Sequence, residues 1–243
     1  GHPHIAYHEG ELCVEGTPVH ALAQQYGTPL FVYSQASMHD ALAAYQRGFA
    51  GLKVQICYAM KANSSLALLQ FFARQGCGFD IVSGGELDRV LAAGGDPGKV
   101  IFSGVGKTRA EMRQALRAGI RCFNGEDQAG PEVHNPGAPA EDQPAQGRIR
   151  VNPNVDPKTH PYISTGLKGN KFGVAHERTV AVYRHAASLP GLRVVGIDCH
   201  IGSQITEATP YLDATDRLLD LVQAIEAEGI PIHHIDVGDR LGI

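Results

Sequence analysis

No apolar run in these 243 residues approaches the roughly 20 needed to span a bilayer, and no two cysteines are spaced as CxxC. Blocks of like charge are also missing, and the formal net charge is only −4. That balance argues against nucleic acid or an anionic membrane as the main partner. Five cysteines, an odd number set far apart, make a poor disulfide framework and fit reduced thiols in the cytoplasm. The opening Gly-His-Pro-His lacks the charged and apolar regions of a signal peptide, and without an initiator Met, Gly1 and His2 read as a processing remnant. The expectation is a soluble, cytoplasmic protein. Twelve histidines are present, yet neither HExxH nor a Cys/His ligand spacing occurs, so no metal site is expected. Ser103-Gly104-Val105-Gly106-Lys107-Thr108 ends like a phosphate-binding loop, but Ile101 stands where that motif needs its first glycine.

What is there is a rhythm. The hydrophobic share of 43% can fill the core of one large α/β domain or two small ones. Short apolar runs at 55–62, 78–82, 99–103, 120–123, 148–152, 193–200 and 233–237 read as strands. Helical segments at 64–74, 85–93, 109–118, 176–189 and 211–228 fall between them, with another at 38–49 before the first. Each strand is short and apolar enough for burial on both faces, which predicts a parallel sheet covered by helices. Seven strands are one short of a closed (β/α)8 barrel, and the chain stops just after the seventh. Residues 29–33 are a candidate extra strand. Residues 125–147, rich in Pro, Gly, Ala and acidic side chains, read as a loop where the rhythm places a fourth helix.

Reactive groups in such a barrel stand at the C-terminal ends of the strands. Lys61 ends the first predicted strand, Asp80 the second, and Ser103 and Asn124 the third and fourth. Arg150 and Asn152 lie in the fifth, His200 ends the sixth and Gly238 the seventh. A lysine facing inward at a buried strand end loses solvation, becomes a neutral nucleophile and suits a Schiff base. The alternative is a surface lysine just past the strand. His200 can stack on or protonate a ligand, or serve as a satisfied core histidine. Gly202-Ser203 and the Gly238 turn offer N–H groups and a hydroxyl to a phosphate, or are plain turns.

Several blocks together resemble the fold-type III pyridoxal-phosphate-dependent decarboxylases. They are Tyr58-Ala59-Met60-Lys61-Ala62-Asn63, Gly78-Phe79-Asp80, Arg150-Val151-Asn152-Pro153 and Cys199-His200-Ile201-Gly202-Ser203-Gln204. Ser83-Gly84-Gly85-Glu86-Leu87, His160-Pro161-Tyr162-Ile163-Ser164-Thr165-Gly166 and Asn170-Lys171-Phe172-Gly173 resemble the diaminopimelate decarboxylases in particular. The blocks keep family order and spacing over most of residues 10–243.

The resemblance implies a TIM-like (β/α)8 barrel of the alanine racemase/ornithine decarboxylase type, truncated before its eighth strand and lacking most of a C-terminal β domain. Residues 1–34 would be the N-terminal segment of that β domain and 35–243 the cofactor-binding barrel. The implied reaction is decarboxylation of meso-2,6-diaminopimelate to L-lysine and CO2, in lysine biosynthesis. The cofactor is pyridoxal 5'-phosphate, held covalently by Lys61. His200 would pack on its ring and share in catalysis. Ser203 and Gly238 would approach its phosphate, and Asp80 and Arg150 would lie close to Lys61. A homodimer is implied, with no nucleic-acid or membrane partner. Alternatives are a decarboxylase for ornithine or arginine, a racemase of the same fold, or an inactive cofactor-binding fragment.

Three features depart from the family pattern. Gly238-Asp239-Arg240 replaces three consecutive glycines, so side chains crowd a backbone that must approach the phosphate, and Asp239 repels it while Arg240 can pair with it. Residues 125–147 do not resemble the family's fourth helix; a compensated frame shift and a lineage-specific loop both explain them. The C-terminal part, with its carboxylate for the pyridine nitrogen, lies beyond Ile243, so this chain alone is expected to decarboxylate poorly.

Overall fold

Two Glu-Gly pairs shape the beginning of the chain. Glu9 (φ 51°) with Gly10 (φ 84°), and Glu15 (φ 50°) with Gly16 (φ 82°), place two successive residues in the left-handed region. That is the geometry of a type I′ hairpin loop, whose twist matches the strands it joins. In the computed structural model, which describes residues 2–125, 144–154, 173–200 and 208–238, these loops connect β1 (Ile5–His8), β2 (Glu11–Val14) and β3 (Thr17–Pro18) into an antiparallel meander. Helices α1 (Val19–Tyr26) and α2 (Gln35–Gly48) follow. Ser34 caps α2 by accepting from Ser37 N at 3.0 Å, and donates its own proton to Glu15 Oε1 at 2.5 Å. Ala36 N donates to the same oxygen at 2.8 Å, so one turn carboxylate anchors the start of α2. These elements belong to the first of two compact units, Gly1–Ile56 and Cys57–Ile243. The expected strand at 29–33 is not formed. Pro29 has no N–H to pair, and Phe31 and Tyr33 are 85% and 53% exposed.

The second unit is a parallel α/β sheet. Its strands are β4 (Cys57–Ala59), β5 (Gly78–Ile81), β6 (Val100–Phe102), β7 (Cys122–Gly125), β8 (Ala145–Asn152), the two-residue β9 (Val174–Ala175), β10 (Leu192–Cys199) and β11 (His234–Val237). The helices are α3 (Leu66–Arg74), α4 (Gly84–Ala92), α5 (Arg109–Ala118), α6 (Thr179–Ser188) and α7 (Thr209–Ala227). The seven-strand path runs β11-β10-β8-β7-β6-β5-β4, every neighbour parallel, with β9 attached to β8. The sheet is strongly curved: Arg121, just before β7, reaches His234 on β11 at 3.3 Å although two strands lie between.

Curvature divides the side chains. Outward, Phe79, Ile81, Val100, Phe102 and Phe123 pack on Leu69, Leu87, Val90 and Met112 of α3, α4 and α5. Ile149, Val151 and Ile197 pack on Tyr183 of α6 and Leu218, Leu221 and Ile225 of α7. Inward, Ile101, Cys122 and Val195 meet Cys57. The β8–β10 ladder slips one place between Val194 and Gly196, a bulge that turns Val195 inward. Beside it the fully buried Tyr183 hydroxyl faces Gly196 O at 2.9 Å and Ile149 O at 3.2 Å, serving one carbonyl at a time with its single proton. β8 starts three residues earlier than expected, within the block read as a loop; its Ala145, Gln146 and Gly147 pair with Leu192, Arg193 and Val194. A Cβ on Gly147 would come within 2.7 Å of Leu192 Cδ1, so a poorly apolar stretch is chosen there for size. The rest of that block, 126–143, lies outside the described residues.

Glu111 holds two helix starts together. It forms a capping box with Thr108 on α5, and its Oε1 accepts from Gly84 N of α4 at 3.0 Å. The Gly84 amide and then the Thr108 hydroxyl hold its carboxyl below the usual glutamate value. Such a group stabilises the fold fully above the unfolded value of about 4.3, and the contribution is lost as pH falls through the lower folded value. Water screens most of this carboxyl's interaction, so Glu111→Gln should cost no more than about 0.5–1 kcal/mol at pH 7. The gap to the parent in urea unfolding should close below about pH 4. Tyr183→Phe should lose about 1–3 kcal/mol at either pH, because a buried carbonyl loses its donor; an unchanged urea midpoint would refute the hydroxyl's structural role.

Candidate active site

The first candidate residue stands differently from expectation. β4 ends at Ala59, and Lys61 lies on a 3-10 turn, Met60–Ala62, beyond the ladder. Lys61 is exposed, not buried at a strand end, because the turn carries it onto the open C-terminal rim. Among the described residues its amine has no hydrogen-bond or ion-pair partner. The backbone around it is fixed: Tyr58 stacks on Phe72 with centroids 4.2 Å apart and donates its hydroxyl to Asn63 O at 3.0 Å. Met60, one residue before the lysine, is buried.

Asp80 sits on β5 opposite Ala59 of β4, so it shares the rim with the Lys61 turn. Arg150 on β8 pairs in register with Asp198 of β10. His200 is half-buried and directly follows β10. Gly238 follows β11, and a Cβ built there would stand 3.8 Å from His200 Nδ1, which places those two predicted residues side by side. Gly238 N donates to Cys199 O at 3.1 Å, so its amide is engaged in the ladder's continuation. Ser203, Asp239 and Arg240 lie outside the described residues, as do 160–166 and 170–172.

Below this rim the inner face is polar, which the sequence reading of doubly apolar strands missed. Ser103 Oγ donates to Asp80 Oδ1 at 2.5 Å. Asn124 Nδ2 donates to Ser103 Oγ at 3.2 Å and reaches Asp198 Oδ2 at 3.5 Å. Arg148 Nε donates to Asn124 Oδ1 at 3.1 Å, and its Nη2 lies 3.1 Å from Asp236 Oδ2, off the line of a hydrogen bond. Arg148, Asn124, Asp198 and Ser103 are all buried. Room for the arginine comes from Gly196, where a Cβ would meet Arg148 Cδ at 2.9 Å and His234 O at 2.4 Å. The signal was a period of two: Arg148-x-Arg150-x-Asn152, Asp198-x-His200 and Asp236-x-Gly238 put every polar residue on one face.

Burial first, and then the Asp236 carboxylate, push the Cys57 thiol up to about 12, so it is a neutral packing group and not a nucleophile. Burial and then Arg121 lower His234 below the usual histidine value. Lys107, the lysine of the phosphate-loop lookalike, gives its protons to the carbonyls of Gly104 and Asn124 and lies over the Phe102 ring. It ties the loop after β6 to the end of β7. Among the described residues, no cluster of three or more His, Cys, Asp or Glu is set to hold a metal, and no helix is long and apolar enough to cross a membrane.

An exposed amine, an imidazole, a carboxylate and a guanidinium share the C-terminal ends of parallel strands, the end at which barrels of this kind carry their sites. Residues 35–243 match the family described as the pyridoxal-dependent decarboxylases, pyridoxal binding domain, and the chain belongs to that family. Diaminopimelate decarboxylase from Vibrio cholerae is 55% identical over 235 residues, covering 97% of this chain and 56% of that protein. The crystal structure of the enzyme from M. jannaschii with L-lysine superposes with a TM-score of 0.90 at 36% identity, over 100% of this chain and 58% of that one. The one from Helicobacter pylori, also with L-lysine, gives 0.86 at 38% identity, over 92% and 57%. The chain thus spans a little over half the length of the relatives it matches. Its cofactor is the family's pyridoxal phosphate, and the residues present fit it: among the described residues the exposed Lys61 amine is unengaged, and the His200 ring stands beside Gly238 at the strand ends.

The buried network should resist isosteric disruption. Asn124→Leu keeps the branched shape but takes the acceptor from Arg148 Nε and a donor from Ser103 Oγ, and should cost about 3 kcal/mol. A urea midpoint equal to the parent's would show that the network carries no stability.

Proposed function

We propose that the protein carrying this barrel decarboxylates meso-2,6-diaminopimelate to L-lysine and CO2. The observation that supports it most is Lys61: an exposed amine with no partner among the described residues, on a turn at a barrel rim, in a chain matching the pyridoxal-binding domain over residues 35–243. Identities above 50% to diaminopimelate decarboxylases direct the choice of substrate. Pyridoxal phosphate, when bound, supplies an electron sink for the pair left as CO2 departs. Lys61 Nζ would hold it covalently, with the His200 imidazole against its ring. Asp80 and Arg150 would set the charge around Lys61, while Ser203 and the turn opening at Gly238 would lie toward the phosphate. A proton replaces the lost carboxylate at the same carbon, and Lys61 and His200 are groups on the rim that would carry it.

Residues 1–34 would then belong to a β domain and 35–243 to the barrel, and the working protein would be a cytoplasmic homodimer without nucleic-acid or membrane partners. Five free cysteines suit a reducing compartment.

Pyridoxal phosphate titrated into the purified chain should give a visible absorption band that Lys61→Ala lacks. A band of equal strength in both would remove Lys61 from its role. The full-length protein offered meso-diaminopimelate, ornithine and arginine should release CO2 from the first; preference for either of the others would reassign the substrate.

A further inference from the structure

We infer that Ser103 is a positioning residue that sets the Asp80 carboxylate for the cofactor, as the last link of a one-way hydrogen-bond chain starting at Arg148. This inference rests on the reading of Lys61 and Asp80 as the cofactor site. The direction of the chain follows from its chemistry. A guanidinium only donates, so the Asn124 atom 3.1 Å from Arg148 Nε is the carbonyl oxygen. The opposite amide orientation would set N–H against N–H at Arg148 and oxygen against carboxylate at Asp198. The Asn124 NH2 therefore points to Ser103 Oγ at 3.2 Å and Asp198 Oδ2 at 3.5 Å. Ser103 Oγ, already accepting, sends its single proton to Asp80 Oδ1 at 2.5 Å, a short charge-assisted bond.

The chain runs from the buried interior outward. Arg148, Asn124 and Ser103 are 5%, 3% and 8% exposed, whereas Asp80 is half-buried at the rim opposite Ala59. Arg148 is anchored by Asp236 and has no room to swing, since Gly196 backs it. Ser103 N is itself fixed, donating to Ile81 O at 2.8 Å. A rigid donor directly after β6 thus fixes one oxygen of a β5 carboxylate on the rim that carries Lys61, and Ser103 need not touch the cofactor.

The test compares the parent chain with Ser103→Ala, Ser103→Thr, Asp80→Asn and the Ser103→Ala/Asp80→Asn pair. Thermal unfolding without cofactor reads the structural part of each change. Pyridoxal phosphate affinity, from titration of the visible band, reads the positioning part. Ser103→Ala should weaken cofactor binding by about tenfold, Ser103→Thr should restore it, and adding Ser103→Ala to Asp80→Asn should weaken it little further. Loss of thermal stability with unchanged affinity would make Ser103 structural only and overturn the inference. Additive effects in the pair would also overturn it, because Ser103 would then act without Asp80. Absence of a band in the parent would instead refute the cofactor reading on which the inference rests.

Discussion

The second unit depends on what a tightly curved parallel sheet does with its inner face. Outward residues meet helices and are chosen for apolar area: Phe79, Phe102 and Ile197 are fully buried there. Inward residues converge even from strands that are not neighbours, as Cys57 of β4, Ile101 of β6 and Val195 of β10 do. The interior has little room, and one long side chain in it must be matched by missing ones. Arg148 is that side chain, and Gly196 is the space left for it. Once a guanidinium is buried, its charge and its donors must be met. Asp236 meets the charge and Asn124 accepts from Nε, itself reaching toward Asp198. The polar character of the interior thus follows from one cation and the geometry of the bend.

This division of faces explains why chemistry gathers on the rim. Side chains of the inner face continue upward, two residues at a time, into positions no longer covered: Asp198 to His200, Asp236 to Gly238, Arg148 to Arg150. The loops above are held by a second set of polar ties. Lys107 draws together the ends of β6 and β7, Glu111 joins the starts of α4 and α5, and Tyr58 clamps the turn that bears Lys61. None of these three needs to touch a ligand. Each removes backbone freedom from a segment that presents a reactive group, which is how a barrel sets several side chains within a narrow tolerance.

The order of strands and helices was legible because the apolar runs and their punctuation report the outer face, where burial dominates. The small errors were of one kind. Lys61 was expected inside a strand, but the ladder stops at Ala59 and a 3-10 turn takes over; no periodicity distinguishes three residues of turn from three of strand. β8 begins at Ala145 rather than Arg148, because small residues at Gly147 serve packing against Leu192 and leave no hydrophobic signal. The opening meander was overlooked although Glu9-Gly10 and Glu15-Gly16 announce it, since its strands are too short and too exposed to read as apolar runs. The inner polar network was hidden by reading the strands as apolar on both sides, when alternate positions in β8, β10 and β11 already said otherwise.

That last point bears on how the site works. A lysine inside a strand would owe its reactivity to burial, and the fold would then pay for desolvating it. Lys61 on an exposed turn has no such cost in the structure described here. Its backbone is fixed by Tyr58, Asn63 and the buried Met60, while its amine stays in water. The barrel supplies the position. The network beneath has the opposite character: it is buried and held by hydrogen bonds from strand to strand, and its outermost carboxylate, Asp80, reaches the same rim. An exposed reactive group held by stiff backbone, above a buried framework of fixed charge, separates the cost of folding from the chemistry.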